Sequence, residues 1–136
     1  MIKENTFIKI LVINLLIIVI SICSYAQQNT DYISKGAKVY IESNDNNVMV
    51  HSKDKILLWG YWKPVESKTE ADFILTLDAN FSVFYTIYAQ AITKDNKIIK
   101  KFKSKNSFNG LDVNPKRGAV RALFDTEIIP FIHGMN

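Results

Sequence analysis

In Asp72-Phe73-Ile74-Leu75-Thr76-Leu77, apolar side chains recur with the period of a β-strand: Phe73, Leu75 and Leu77 fall on one face, and Ile74, Thr76 and Asp78 on the other. One face belongs in a core, so the strand needs a covering layer. Downstream, residues 82–93 place Val83, Tyr85, Ile87, Ala89 and Ala91 on one side and Phe84, Tyr88 and Ile92 on the other. Both sides are partly apolar, which predicts a central strand. Lys94-Asp95-Asn96-Lys97 then predicts a tight reversal, with Asn96 the residue most tolerant of positive φ. Residues 98–103 return as the hairpin partner, studded with lysines.

Upstream, Lys38-Val39-Tyr40-Ile41-Glu42 alternates and predicts a first strand that ends in the turn-forming residues 43–47. Asp45 or Asn46 can cap a helix running through Val48, Met49, Ile56, Leu57 and Trp59, with Gly60 as its terminator. Val48-Met49-Val50 also satisfies a strand that turns at residues 52–55. Tyr61-Trp62-Lys63-Pro64-Val65 predicts a short edge strand, because Pro64 has no N–H to give a central ladder. The last element is a helix with Asn114 as N-cap and Pro115 at its first position. Its stripe of Val120, Leu123, Phe124, Ile128 and Phe131 should lie on the sheet, and Pro130 should kink or end it near Ile129. The expected fold is therefore α+β: one domain over residues 37–133, a mostly antiparallel sheet of four to five strands, and two helices in the order β-α-β-β-β-β-α.

The amino terminus sets the compartment. Lys3 and Lys9 flank Glu4, an uncharged run fills residues 10–23, and Ser24-Tyr25-Ala26 places small residues three and one before Gln27. This pattern predicts a signal peptide, residues 1–26, cleaved after Ala26. The run is shorter than the roughly 20 apolar residues a membrane-crossing helix needs, so no stable span is expected after cleavage. Ile22 before Cys23 argues against lipid attachment at that cysteine, which otherwise prefers a small neighbour. Residues 27–36 are polar and aperiodic, and read as a flexible lead-in.

Of 136 residues, 48% are hydrophobic, a figure inflated by the leader. Removing residues 1–26 leaves 110 residues with 15 basic and 12 acidic side chains, a net charge of +3, and no cysteine. An exported domain of this kind is held by its core; a disulfide scaffold, a cysteine–zinc site and a thiol enzyme are excluded.

Catalytic signatures are missing. The five glycines are too scattered for a dinucleotide or phosphate loop, and no glycine-flanked serine marks a nucleophile elbow. Asp45-Asn46-Asn47 fails as a calcium loop, because Val50 and Ile56 stand where Gly and Glu are needed. His51 and His133 lie on different elements and need a carboxylate such as Asp54 or Asp125 to make a metal site; no ligand-pair spacing supports one. The lysines at 97, 100, 101, 103 and 105 fit a solvated edge better than a nucleic-acid surface, given the small net charge. No enzyme, metal, cofactor or nucleic-acid partner is expected.

Two groups remain as binding candidates. Trp59, Tyr61 and Trp62 form the densest aromatic cluster, either core or an interface anchor. In Asn114-Pro115-Lys116-Arg117-Gly118 two cations occupy a first helical turn that normally prefers acids; they either hold an anion with the free N–H groups, or extend to solvent or to Asp112 and Glu127.

The succession of residues 38–42, Leu57-Leu58-Trp59-Gly60-Tyr61-Trp62, Glu70-Ala71-Asp72-Phe73-Ile74-Leu75, the Asp95-Asn96-Lys97 hairpin and the helix from Pro115 resembles small exported envelope α/β domains. The comparison is with the amino-terminal domain of TolB and the lipoprotein activators of penicillin-binding proteins. It covers most of the mature chain at the level of architecture, with residues 70–75 as its motif. The resemblance implies a non-catalytic module, periplasmic or secreted, that binds an envelope protein partner. The alternative is a small-ligand or anion-binding protein, hydrolytic or not, using the helix start at residues 114–118.

Overall fold

A computed structural model describes residues 8–14, 17, 32–107 and 114–134. The chain divides into two compact units, Met1–Asp31 and Tyr32–Asn136. In the first, residues 8–14 are helical. Among the described residues no helix is long and apolar enough to cross a membrane. Cys23 and the expected cleavage point at Ala26 lie outside the described residues.

The second unit contains strands β1 (Lys38–Ser43), β2 (Lys63–Val65), β3 (Phe73–Phe81), β4 (Tyr85–Ile92), β5 (Ile98–Lys101) and β6 (Lys105–Ser107), with helix α1 (Asn46–Trp59) between β1 and β2. Helix α2 (Pro115–Leu123) continues through a π-helical turn (Phe124–Ile128) into α3 (Ile129–His133). The sheet runs β2-β1-β3-β4-β5, with β6 also paired to β4. The fold is α+β with a mostly antiparallel sheet, as the sequence predicts, and it has one strand more than expected. β1 is parallel to both β2 and β3, whereas β3–β4, β4–β5 and β4–β6 are antiparallel.

Register explains the two faces. Val39, Phe73 and the pairs Leu75–Ala91 and Leu77–Ala89 line the buried face, which meets Val48 and Ile56 of α1 and Ala119, Val120 and Leu123 of α2 in the core. The other face carries Tyr40, Glu42, Thr76, Asp78 and Tyr88. Ile74 is buried there. The connection from β2 to β3 reaches over this face: Lys68 Nζ lies 2.9 Å from Glu42 Oε1 and 5.6 Å from the centre of the Tyr40 ring.

The capping expectations hold. Asp45 accepts from the N–H groups of Asn47 and Val48, and Gly60, at φ 70°, donates its N–H to Ile56 O. At this left-handed position a side chain on Gly60 would strain the backbone. Asn96 sits at φ 60° in the β4–β5 reversal, where Thr93 Oγ1 accepts from the N–H of Lys97. β3 runs on to Phe81 instead of ending near Leu77, and β4 begins at Tyr85, so residues 82–84 are the turn of a longer hairpin than the alternation suggests.

Pro130 neither ends the final helix nor stands alone in bending it. The widened turn before it absorbs the misfit: Ile129 N donates to Phe124 O, five residues back, and Thr126 Oγ1 donates to Ala122 O at 2.8 Å. Phe124, Ile128 and Ile132 are thereby all buried, and the half-buried Phe131 stacks edge-on against Phe102 at 5.8 Å. Between β5 and β6 the edge strand bulges, because Lys101 and Lys105 pair with Gln90 and Ile87. The bulge turns Phe102 into the core and, with the lysines, blunts the edge.

The lead-in reading of residues 27–36 is corrected for its described part. Ile33 is buried in the core and its carbonyl accepts from Trp62 Nε1 at 2.9 Å, while Gly36 N donates to Tyr61 O at 2.7 Å. Residues 32–36 belong to the folded unit because an apolar side chain and a buried indole N–H both need them. Ile33→Ala should therefore cost about 2–5 kcal/mol, the range for emptying a buried aliphatic position. Denaturant unfolding checks this; a change within about 0.5 kcal/mol, typical of exposed sites, would contradict the placement.

Candidate functional site

The two helices that cover the sheet are joined at their N-termini by Asp45. Its Oδ1 caps α1, accepting from Asn47 N at 2.9 Å and Val48 N at 3.3 Å. Its Oδ2 accepts from Tyr85 Oη on β4 at 2.6 Å and pairs with Lys116 Nζ on α2 at 2.7 Å. Burial by itself would push this carboxyl up. The hydrogen bonds from Lys116, Tyr85 and the Val48 and Asn47 amides together outweigh it and hold the pKa at about 2. Burial, and then the hydrogen bond and charge of the Asp45 carboxylate, push the Tyr85 phenol well up from its ordinary value.

This junction revises the anion reading of residues 114–118. Asn114 is the N-cap, as expected, but its Oδ1 already accepts from Lys116 N at 3.1 Å and Arg117 N at 3.2 Å. Lys116 pairs with Asp45; Asp112 lies outside the described residues. Glu127 is engaged by Lys105 at 2.8 Å, which lowers its pKa. The amides and the ammonium that an anion would require are thus satisfied within the fold. Arg117 is exposed and faces a different feature, the groove between the helices.

The aromatic cluster also divides. Trp62 is buried, its ring edge-on to Phe73 at 4.9 Å, so it is a core residue and not a partner contact. Trp59 and Tyr61 are half-buried and stack at 4.9 Å with planes 16° apart. The sequence placed Leu57 in the helix's apolar set; in the structure only Val48, Ser52 and Ile56 are buried, a stripe one residue wide. Leu57 is 64% exposed and Leu58 86%.

These leucines border a concavity of about 530 Å³ between α1 and α2. From α1 it is lined by His51, Asp54, Lys55, Leu57 and Leu58, and from α2 by Arg117, Val120 and Arg121. Ion pairs bracket it: Asp45–Lys116 at one end, and Lys55 Nζ–Asp125 Oδ1, 2.7 Å, farther along α1. His51 Nε2 lies 3.3 Å from Asn114 Nδ2, a link between the helices that also orients the cap. No spacing in the sequence marks this groove, since its two walls are more than fifty residues apart. The available signal was the Leu57-Leu58 pair, which exceeds what one face of a helix can bury.

The remaining candidates do not converge on chemistry. Among the described residues no group of three His, Cys, Asp or Glu side chains could hold a metal ion. Of the lysine series, Lys100 lies 4.6 Å over the Phe131 ring and Lys105 is paired with Glu127, while residues 97, 101 and 103 are exposed. A second exposed apolar surface occurs at the β3–β4 turn, where Phe81 and Val83 are 63% and 75% exposed in a stretch, residues 79–93, without charge.

Among solved structures, the solution NMR structure of an uncharacterised lipoprotein B from Nitrosomonas europaea is similar to this chain, with a TM-score of 0.44 and 13% identity, covering 74% of this chain and 79% of that one. No family model matches the chain, and no curated protein matches it. The resemblance to TolB and to penicillin-binding-protein activators is not confirmed by these comparisons.

The Asp45 junction makes stability pH-dependent. Its folded pKa, about 2, lies below the ordinary 3.8, so the stabilisation is complete above pH 4 and is lost as pH falls through 2. In denaturant titrations Asp45→Asn should lose about 2 kcal/mol at pH 6 relative to the native chain, with the deficit shrinking between pH 4 and pH 2. An equal deficit at both ends of that range would contradict the ionic role.

Proposed function

We propose that the chain is an exported, non-catalytic binding domain of the cell envelope whose partner is another protein. Export rests on the leader at residues 1–26. Binding rests on one observation above the others: Leu57 and Leu58 stand exposed beside a concavity walled by two helices. Adjacent exposed leucines at a groove are an ordinary feature of partner surfaces and a liability anywhere else. The groove's lining sets no serine, threonine or cysteine beside His51 and Asp54.

The test is crosslinking of the exported protein in its own envelope. A protein crosslinked through wild-type chain should be lost on Leu58→Glu, with the unfolding midpoint unchanged, since Leu58 is almost wholly exposed. Mass measurement of the same material should give an amino terminus at Gln27. Undiminished crosslinking by Leu58→Glu would remove the groove from the account, and a lipid-bearing Cys23 terminus would replace free export with anchoring.

A further inference from the structure

We infer that the β3–β4 hairpin docks the exported domain on a bilayer surface, with its tip seated at the level of the lipid headgroups. The inference needs the export in the reading above but not its protein partner, and it concerns a different surface. Its first ground is what the tip exposes. Phe81 is 63% exposed, Val83 75% and Phe84 37%, and Tyr88 follows at 53%. No charge occurs from residue 79 to residue 93. Neighbouring apolar side chains held in water without a charge among them are a liability for a free domain. At a membrane they are an anchor, because aromatic rings gather where headgroups meet acyl chains.

The second ground is projection. β1 stops opposite Leu77, and the Asn44 side chain closes its end: Ala79 N donates to Asn44 Oδ1 at 2.8 Å, and Asn44 Nδ2 donates to Ala79 O at 2.9 Å. On the other side β6 pairs with β4 no farther than Tyr85. Residues 80–84 therefore extend past every described strand as a convex tip. Such a tip has no pocket for a partner's side chain and no charged rim to select one. A fluid lipid surface takes it without a matching shape.

The third ground is polarity along the hairpin. Beside and behind the tip stand Asn44, Asn80 and the Asp45–Lys116 pair, whose ammonium lies 5.6 Å from the centre of the Tyr85 ring. At the far end of β4 the reversal carries Lys94, Asp95 and Lys97. Charge is thus kept at the end that stays in water. The backbone sets the depth. Within the turn Ser82 N donates to Phe84 O at 3.2 Å, but past Asn44 the β1 side of β3 has no described strand to pair with. Unpaired backbone groups are costly in hydrocarbon and tolerable among hydrated headgroups, which limits the tip to roughly 5–10 Å of insertion.

Vesicles of zwitterionic phosphatidylcholine test this with the protein purified after export. Val83→Trp puts a reporter in the tip, read as the difference from the native chain with its Trp59 and Trp62. Its emission should shift to the blue on adding vesicles, and lipids brominated near the headgroup end of their acyl chains should quench it. Co-sedimentation should survive about 1 M salt, where the Debye length is about 3 Å. It should fall at least about tenfold in Phe81→Asp/Val83→Asp, with the unfolding midpoint unchanged because both side chains are mostly exposed. An unquenched Val83→Trp reporter overturns the inference. So does attachment that needs anionic lipid and disappears in salt, since it would belong to lysines such as Lys97 and Lys101. A photoreactive residue in place of Val83 that captures protein instead of lipid in the native envelope overturns it as well. If the groove captures no protein while the tip is still quenched, the protein-partner reading falls and this one stands.

Discussion

One carboxylate ties the helical layer to the sheet. Asp45 ends β1's exit turn, caps α1, accepts from Tyr85 on β4 and pairs with Lys116 on α2. A partly buried carboxylate is stabilising only when its lone pairs are filled, and here four donors fill them. Because those donors come from three different elements, satisfying the charge also sets the positions of both helix starts. The groove between α1 and α2 is a by-product of that arrangement, closed farther along by Lys55 and Asp125. Beneath it, Val48 and Ile56 of α1 and Ala119, Val120 and Leu123 of α2 share one core.

The sheet shows the same separation between what is fixed and what is left free. Its covered face is closed by aliphatic layers and by a final helix that widens into a π-turn to accommodate Pro130 while burying Phe124, Ile128 and Ile132. Its edges are made unreceptive by Pro64 and by the β5–β6 bulge. Within the second unit, neighbouring large apolar side chains stand exposed at the α1 leucines and at the β3–β4 turn. The first borders a concavity lined by charged side chains, and these two properties give a surface selectivity for a partner.

Local chemistry was legible in the sequence. Asp45 and Gly60 bound α1, Asn114 and Pro115 start α2, and Asn96 takes positive φ, because in each case a single residue's side chain or backbone decides the geometry. Features settled by distant partners were not. The parallel pairing of β1 depends on where the chain returns after α1. Trp62 is core because Ile33, 29 residues earlier, supplies a carbonyl for its indole. Lys116 leaves the supposed anion site because Asp45 lies across the fold. Leu57 was one of the apolar residues through which the sequence ran the helix, yet the buried residues of α1 are Val48, Ser52 and Ile56, and the exposed Leu57 and Leu58 border the groove.

The coupling of both helices through Asp45 is measured most directly by amide hydrogen exchange on Asp45→Ala against the native chain. Loss of the shared carboxylate should lower protection in the N-terminal halves of α1 and α2 together, while the paired core of β3 and β4 keeps its protection. If exchange rises in α1 alone and α2 is unchanged, Asp45 is only a helix cap, and the groove owes its geometry to something else.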